Sequence, residues 1–154
     1  MKMSQGVEWG LHTVTLLALT TSPVRRDRIA AHYGLPVAYL AKHLTALTKA
    51  AILTATPGPR GGYRLARPPE DITVLDVVEA IEGPAPTFTC QDIRKQGEAA
   101  LPPDLCRRPC VINATMTQAD QAWRTSLRKV TVADLVHRLT PAIRHRNESI
   151  LANP

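Results

Sequence analysis

The run Pro57-Gly58-Pro59-Arg60-Gly61-Gly62, with what stands on either side of it, constrains the fold of this chain more than any other feature. Two short β-compatible runs, Ile52 to Thr56 and Tyr63 to Ala66, flank it. A Gly- and Pro-rich break between such runs predicts a hairpin. Three segments of helical periodicity come before it. Val7, Leu11, Val14, Leu17 and Ala18 recur at steps of three and four, which predicts an amphipathic helix from Gln5 to Thr20 with one buried face. Pro23 starts a short helix over Val24 to His32, which Tyr33-Gly34-Leu35 breaks. Pro36 opens a third helix that runs to Ala51, with Val37, Leu40, Leu44 and Leu47 on one stripe. Two helices joined by a short Gly-containing turn have the helix-turn-helix pattern, and three helices followed by a hairpin is the winged-helix order. The expected fold is mainly α with a small β-hairpin wing.

Downstream, Thr73 and Asp76 have capping-box spacing ahead of Val74, Leu75, Val77, Val78 and Ile81, and that helix should end at Gly83. From Pro84 to Pro109 regularity fails. Five prolines interrupt a stretch too long for an ordinary connection. A long helix is expected from Val111 to Leu127, with Ile112, Met116, Ala119 and Trp123 on one stripe; Thr131 and Asp134 then cap a short helix through Leu139. The polar tail from Pro141 is expected to fray. These segments divide the chain into a winged helix-turn-helix over 1–69, a connecting helix over 70–83 and a cysteine-bearing loop over 84–110. A long helix with its short follower over 111–140 and a flexible tail over 141–154 complete it.

Charge is divided along the same line. The 154 residues carry a formal net charge of +6. Residues 1–69 hold nine bases against two acids, whereas the remainder holds ten bases against eleven acids. The whole excess therefore lies in the winged-helix half, as in a basic recognition module joined to a neutral partner-binding half. On the third helix Tyr39, Lys42, His43 and Thr45 are candidates for base-edge or phosphate contact, while Arg25, Arg26 and Arg28 are expected to clamp phosphate. Arg60 and Arg64 stand on the wing, where a Gly-flanked arginine can enter a minor groove. The long helix has more apolar surface than a small module can bury, which points to a homodimer reading a palindromic operator in double-stranded DNA.

No stretch reaches the length of a membrane span and no signal peptide is evident, so no membrane partner is expected and a cytoplasmic location is. In a reducing compartment the three cysteines, Cys90, Cys106 and Cys110, are not expected to pair. Their spacing fits neither zinc knuckles nor ferredoxin runs. Arg107 and Arg108 beside them favour thiolates, the ligand form. No Ser/His/Asp order, phosphate loop, catalytic carboxylate pair or HExxH helix appears, so an enzyme is not expected. His12, His137 and His145 have no convergent partners and read as structural.

The opening Met1-Lys2-Met3-Ser4-Gln5-Gly6-Val7-Glu8-Trp9-Gly10-Leu11-His12 and the Ile29-Ala30 and Tyr39-Leu40 pairs carry a family resemblance. So do the wing Arg60-Gly61-Gly62-Tyr63-Arg64-Leu65-Ala66-Arg67, the helix from Ile72 to Ile81 and the loop cysteines. The chain resembles the Rrf-type (IscR/NsrR/RsrR) family of bacterial winged-helix regulators over about residues 1–135, with its redox-sensing RsrR branch nearest. The resemblance implies a homodimeric transcription factor, expected to be a repressor, that senses through an iron–sulfur cluster of 2Fe–2S type. It implies Cys90 and Cys110 as thiolate ligands and Glu8 as the carboxylate ligand. His32 is the expected imidazole, one residue away from the family's position, where Tyr33 stands; Cys106 or Tyr33 are its alternatives. The alternative functions are a cluster-free regulator sensing by thiol oxidation or a small ligand, and a sensor of nitric oxide or of iron–sulfur supply. A zinc module built from Cys90, Cys106, Cys110 and His32 is a further one.

Overall fold

The computed structural model describes residues 3–152. Met1, Lys2, Asn153 and Pro154 lie outside the described residues, and with them the first two positions of the opening motif, one of the counted bases and the end of the expected tail. The chain forms two compact units, residues 85–126 and the remainder on either side.

The larger unit begins with α1 (Gln5–Leu17), α2 (Arg26–Tyr33) and α3 (Val37–Lys49), followed by β1 (Leu53–Thr56) and β2 (Gly62–Leu65). The strands pair antiparallel, Leu53 opposite Leu65 and Thr56 opposite Gly62, so Pro57–Gly61 is the hairpin loop and Gly62 already belongs to β2. α2 stops at Gly34, which takes the left-handed conformation (φ 65°) that a side chain disfavours, and the Leu35 N–H closes the turn on the Ala30 carbonyl at 2.8 Å. Val14 and Leu17 of α1, Ile29 of α2, and Leu40, Leu44 and Leu47 of α3 are buried together with Ile52 and Leu53. Val37 departs from the expected stripe. It sits in the first turn of α3, 40% exposed.

α4 (Val74–Glu82) and α6 (Val132–His137) both start with the capping box that the sequence predicts. The Asp76 N–H donates to Thr73 Oγ1 at 3.1 Å and the Thr73 N–H to Asp76 Oδ2 at 2.9 Å; Asp134 and Thr131 repeat the exchange at 3.1 and 2.8 Å. The two helix starts are then zipped together. Val74 N–H donates to the Val130 carbonyl and Val132 N–H to the Ile72 carbonyl, both at 2.8 Å, which buries Ile72, Val77 and Val132 in the common core.

Residues 141–152, expected as a flexible tail, form a helix instead, α7 (Pro141–Ala152). Pro141 suits a first helical position, Thr140 Oγ1 accepts from the Ile143 N–H at 3.4 Å, and Leu151 packs onto the core cluster. The apolar anchor lies near the end of the segment, where a mostly polar composition obscured it.

The smaller unit contains most of α5 (Val111–Arg128) and the irregular chain before it. Asp120 braces this unit. It accepts from the Thr87 N–H (3.2 Å), Thr87 Oγ1 (2.9 Å) and Arg124 Nε (2.6 Å), while Arg124 also donates to the Ala85 carbonyl (2.9 Å). No residue of α5 is buried, and Val111, Ile112 and Met116 are exposed apolar side chains. Among the described residues no helix is long and apolar enough to cross a membrane.

Candidate functional site

The irregular loop gathers its thiols. Cys90, Cys106 and Cys110 line one cleft of about 340 Å³ with Asp92, Arg94, Arg108 and Asn113. All three are free and half-buried. Cys110 stands immediately before α5, where its carbonyl accepts the first helical hydrogen bond from the Ala114 N–H at 2.9 Å. The backbone N–H groups of Asn113 and Ile112 therefore point at its sulfur and pull its thiol below the ordinary value; Arg94 and the Cys90 thiol add to this and burial opposes it.

Cys90 is held by backbone. The Asp92 N–H donates to its Sγ at 3.4 Å, and Asp92 itself takes a left-handed conformation (φ 46°), uncommon for a residue with a side chain. Its carboxylate binds Arg94 Nε at 2.7 Å and Lys95 Nζ at 2.9 Å, and those two cations pull it down to about 2. Arg94 also reaches the Arg108 carbonyl at 3.4 Å, which ties the two ends of the loop. Cys106 Sγ lies 3.9 Å from the Leu101 carbonyl. This donor set suits a thiolate-bound group: one sulfur is biased to the anion and a guanidinium stands by to balance charge. Among the described residues no three His, Cys, Asp or Glu side chains are arranged to hold a single metal ion.

Glu8 lies in the first turn of α1, exposed beside a cleft of about 490 Å³ that Met3, Val7, Leu11 and His12 also line. His12 stands one turn further along α1, and the i,i+4 spacing puts a carboxylate and an imidazole side by side on one helix face. His32 does not line this cleft. It is half-buried on α2; burial pulls its pKa down, with Asn147 opposing and Arg146 reinforcing the shift, and its Nδ1 is buried without a hydrogen-bond partner. Tyr33 packs against both His12 and His32, its hydroxyl donating to the His12 carbonyl at 3.0 Å, and burial pushes it up to about 12. A phenol so shifted stays protonated at neutral pH. The structure thus brings His12, rather than His32 or Tyr33, beside Glu8. The i,i+4 pair was present in the sequence, where Glu8 is the expected carboxylate ligand while His12 reads as structural for want of a convergent partner.

The residues expected to contact DNA differ in exposure. Tyr39 (67% exposed), Lys42 and Thr45 project from α3, with Thr45 Oγ1 donating to the Ala41 carbonyl at 2.9 Å. His43 does not join them. Its ring lies against Gly6 and edge-on to Trp9 at 5.8 Å, so it packs α3 on α1; burial and Lys42 lower its pKa while Glu82 opposes them. Arg26 is exposed, and so are Arg60 at the wing tip and Arg64 on β2. Arg25 grips Asp27 at 2.7 Å and Arg28 Nη2 donates to the Ile150 carbonyl at 2.8 Å.

A helix-turn-helix whose second helix carries an exposed Tyr-Lys-Thr face, followed by a two-stranded wing bearing arginines, defines a winged-helix regulator of transcription. The chain belongs to the Rrf2 family: the family model described as Rrf2, iron-dependent transcriptional regulator, matches residues 3–138. It is similar to Protein rrf2 of Nitratidesulfovibrio vulgaris Hildenborough, 33% identical over 138 residues that cover 88% of this chain and 87% of that one. Among solved structures it is similar to T. potens IscR, with a TM-score of 0.68 and 26% identity over 92% of this chain and 90% of the other. CymR, the global cysteine regulator of B. subtilis, shares the fold at a TM-score of 0.69 and 24% identity, covering 91% and 99% of the two chains.

Proposed function

We propose that this Rrf2-family regulator is a homodimeric, redox-sensing repressor with an iron–sulfur cluster of 2Fe–2S type. Cys90 and Cys110 of one protomer would hold it, together with Glu8 and an imidazole from the first helix of the partner subunit. The observation that carries this reading is the meeting of the loop thiols in one cleft, with Cys110 biased toward its thiolate by the start of α5. His12 is the better imidazole, because it shares the face of α1 with Glu8; His32 is half-buried elsewhere. When bound, such a group supplies one-electron redox chemistry and a change of local charge.

The residues of this chain do the rest. Arg94 offsets thiolate charge, Asp92 and Asp120 brace the loop, and the exposed Val111, Ile112 and Met116 give α5 an apolar face for a second copy. α1 carries Glu8 and packs its Gly6–Trp9 turn on His43 of α3, so movement of the sensing helix reaches the reading helix. Two copies of α3 would enter successive major grooves of a palindromic operator through Tyr39, Lys42 and Thr45, with Arg25, Arg26 and Arg28 on phosphate and Arg60 and Arg64 at the minor groove.

The test is a visible absorption spectrum with iron and sulfide analysis on anaerobically prepared protein, before and after mild reduction. The expected result is a reducible visible band that is lost in Cys90→Ala and in Cys110→Ala. Retention of that band and of redox-dependent DNA binding in both variants overturns the cluster site. A second reading, cluster-free sensing by thiol oxidation, is favoured by Cys106 lying in the same cleft as the low-pKa Cys110; colourless protein whose DNA binding responds to peroxide supports it. Zinc content in colourless protein marks a structural metal module instead.

A further inference from the structure

α7 begins beyond residue 138, where the match to the family model ends, and none of the roles above uses it. Its position is specific. Two of its residues, Asn147 and Arg146, interact with His32 on α2, and one turn later along α7 the Ile150 carbonyl accepts from Arg28, one turn earlier along α2. The last two turns of α7 therefore run antiparallel along α2. Leu151 anchors them on the core, and the end of the helix closes one side of a cleft of about 450 Å³ whose other walls include Arg25, Arg28 and Pro59 of the wing.

The chemistry of that contact resembles the one expected with nucleic acid. The last carbonyls of a helix have no partner within it and form the negative end of its dipole. Ile150 presents such a carbonyl to a guanidinium at 2.8 Å, as a phosphate oxygen would. Arg28 lies in the first turns of α2, between the turn from α1 and the wing, where helix-turn-helix proteins hold the DNA backbone.

We propose that α7 is an autoinhibitory latch: its C-terminal turn occupies Arg28 and the outer face of α2, and DNA phosphate competes with it for that position. The proposal rests on the DNA-binding reading and adds a competitor within the chain. Leu151 fastens the latch, the Ile150 carbonyl blocks the arginine, and binding of a duplex releases the helix.

Two measurements on the full chain test this. In the first, a fluorescein-labelled random-sequence duplex of about 30 base pairs is titrated with wild type, Leu151→Glu, Asn147→Ala and the surface control Ile143→Glu over a series of salt concentrations. Leu151→Glu adds a negative charge, which by itself weakens DNA binding, yet it should bind several-fold more tightly, with a salt dependence steeper by about one unit as Arg28 takes up a phosphate. Asn147→Ala should move the same way by less, and Ile143→Glu should not tighten binding. In the second, amide exchange of wild type with and without the duplex should show residues 144–152 exchanging faster when DNA is bound. Unchanged or weaker binding by both latch variants overturns the proposal, as does slower exchange of α7 on DNA. If neither wild type nor variants bind the duplex at all, the DNA-binding reading falls and the latch with it.

Discussion

Val24 and Tyr63 exchange both of their backbone hydrogen bonds, at 2.9 and 2.8 Å, and so fasten the wing to the residues that lead into α2. Gly62 makes this possible. Its φ of 152° and the atoms around it leave no room for a side chain, because a Cβ would collide with the Val24 carbonyl group and the Arg25 nitrogen. Gly62→Ala should therefore destabilise the protein by about 1–3 kcal/mol and weaken duplex binding by displacing the wing. Urea unfolding and fluorescence anisotropy check both effects. An alanine variant of unchanged stability and affinity would show that the wing does not depend on this junction.

Lys42 and His43 are neighbours in sequence with different surroundings, the one exposed and the other packed on α1. Lys42→Ala should lower DNA affinity and make its salt dependence shallower by about one unit, since an exposed cation on α3 is removed. His43→Ala should leave the salt slope alone and lower the melting temperature, because the imidazole fills the space between Gly6 and Trp9. Equal salt slopes for the two variants would contradict this division.

The capping boxes give a stability prediction with a pH signature. Thr73→Ala should cost about 1 kcal/mol by removing the acceptor for the Asp76 N–H. Asp134 is held below its usual 3.8, first by the Thr131 backbone N–H and then by the Thr131 hydroxyl. A depressed carboxylate contributes its stability fully above the unfolded-state value and loses it as pH falls through the folded-state value. Asp134→Asn should thus be less stable than wild type near neutrality, with the difference shrinking below about pH 4. Melting curves between neutral and acid pH measure it; a constant difference across that range would count against this role of Asp134.

Asp120 ties residues 85–87 to α5. Asp120→Ala should speed amide exchange across residues 85–110 and shorten the lifetime of any visible chromophore in air, while the melting of the winged-helix unit stays close to wild type. Exchange unchanged in that loop would mean that its order comes from the Asp92–Arg94 clamp alone.

Much of the winged helix was legible from local chemistry. The steps of three and four in α1 and α3, the Gly34 break, the Pro57–Gly62 turn and the Thr-x-x-Asp caps each specify their element through interactions within a few residues. The division of charge between the two halves and the family motif from Ile72 to Ile81 were legible for the same reason: they are properties of composition and order.

The sites were different. Nothing local distinguishes His43 from Lys42 as a DNA contact; only the approach of α1, with glycine at position 6, turns the imidazole inward. His12 stands beside Glu8 because α1 is continuous through both, whereas His32 is half-buried on α2 against α7. Cys90 lies twenty residues from Cys110, and the two meet in a loop folded back on itself, which Asp92 and Arg94 help to hold. The sequence determined the elements up to α6 and where charge and thiols lie, since those follow from neighbouring residues; α7 escaped it because its anchor, Leu151, is a tertiary contact. Tertiary packing decided which imidazole is withdrawn, which arginine is occupied and which thiols come together, because those outcomes depend on contacts between residues far apart in the chain.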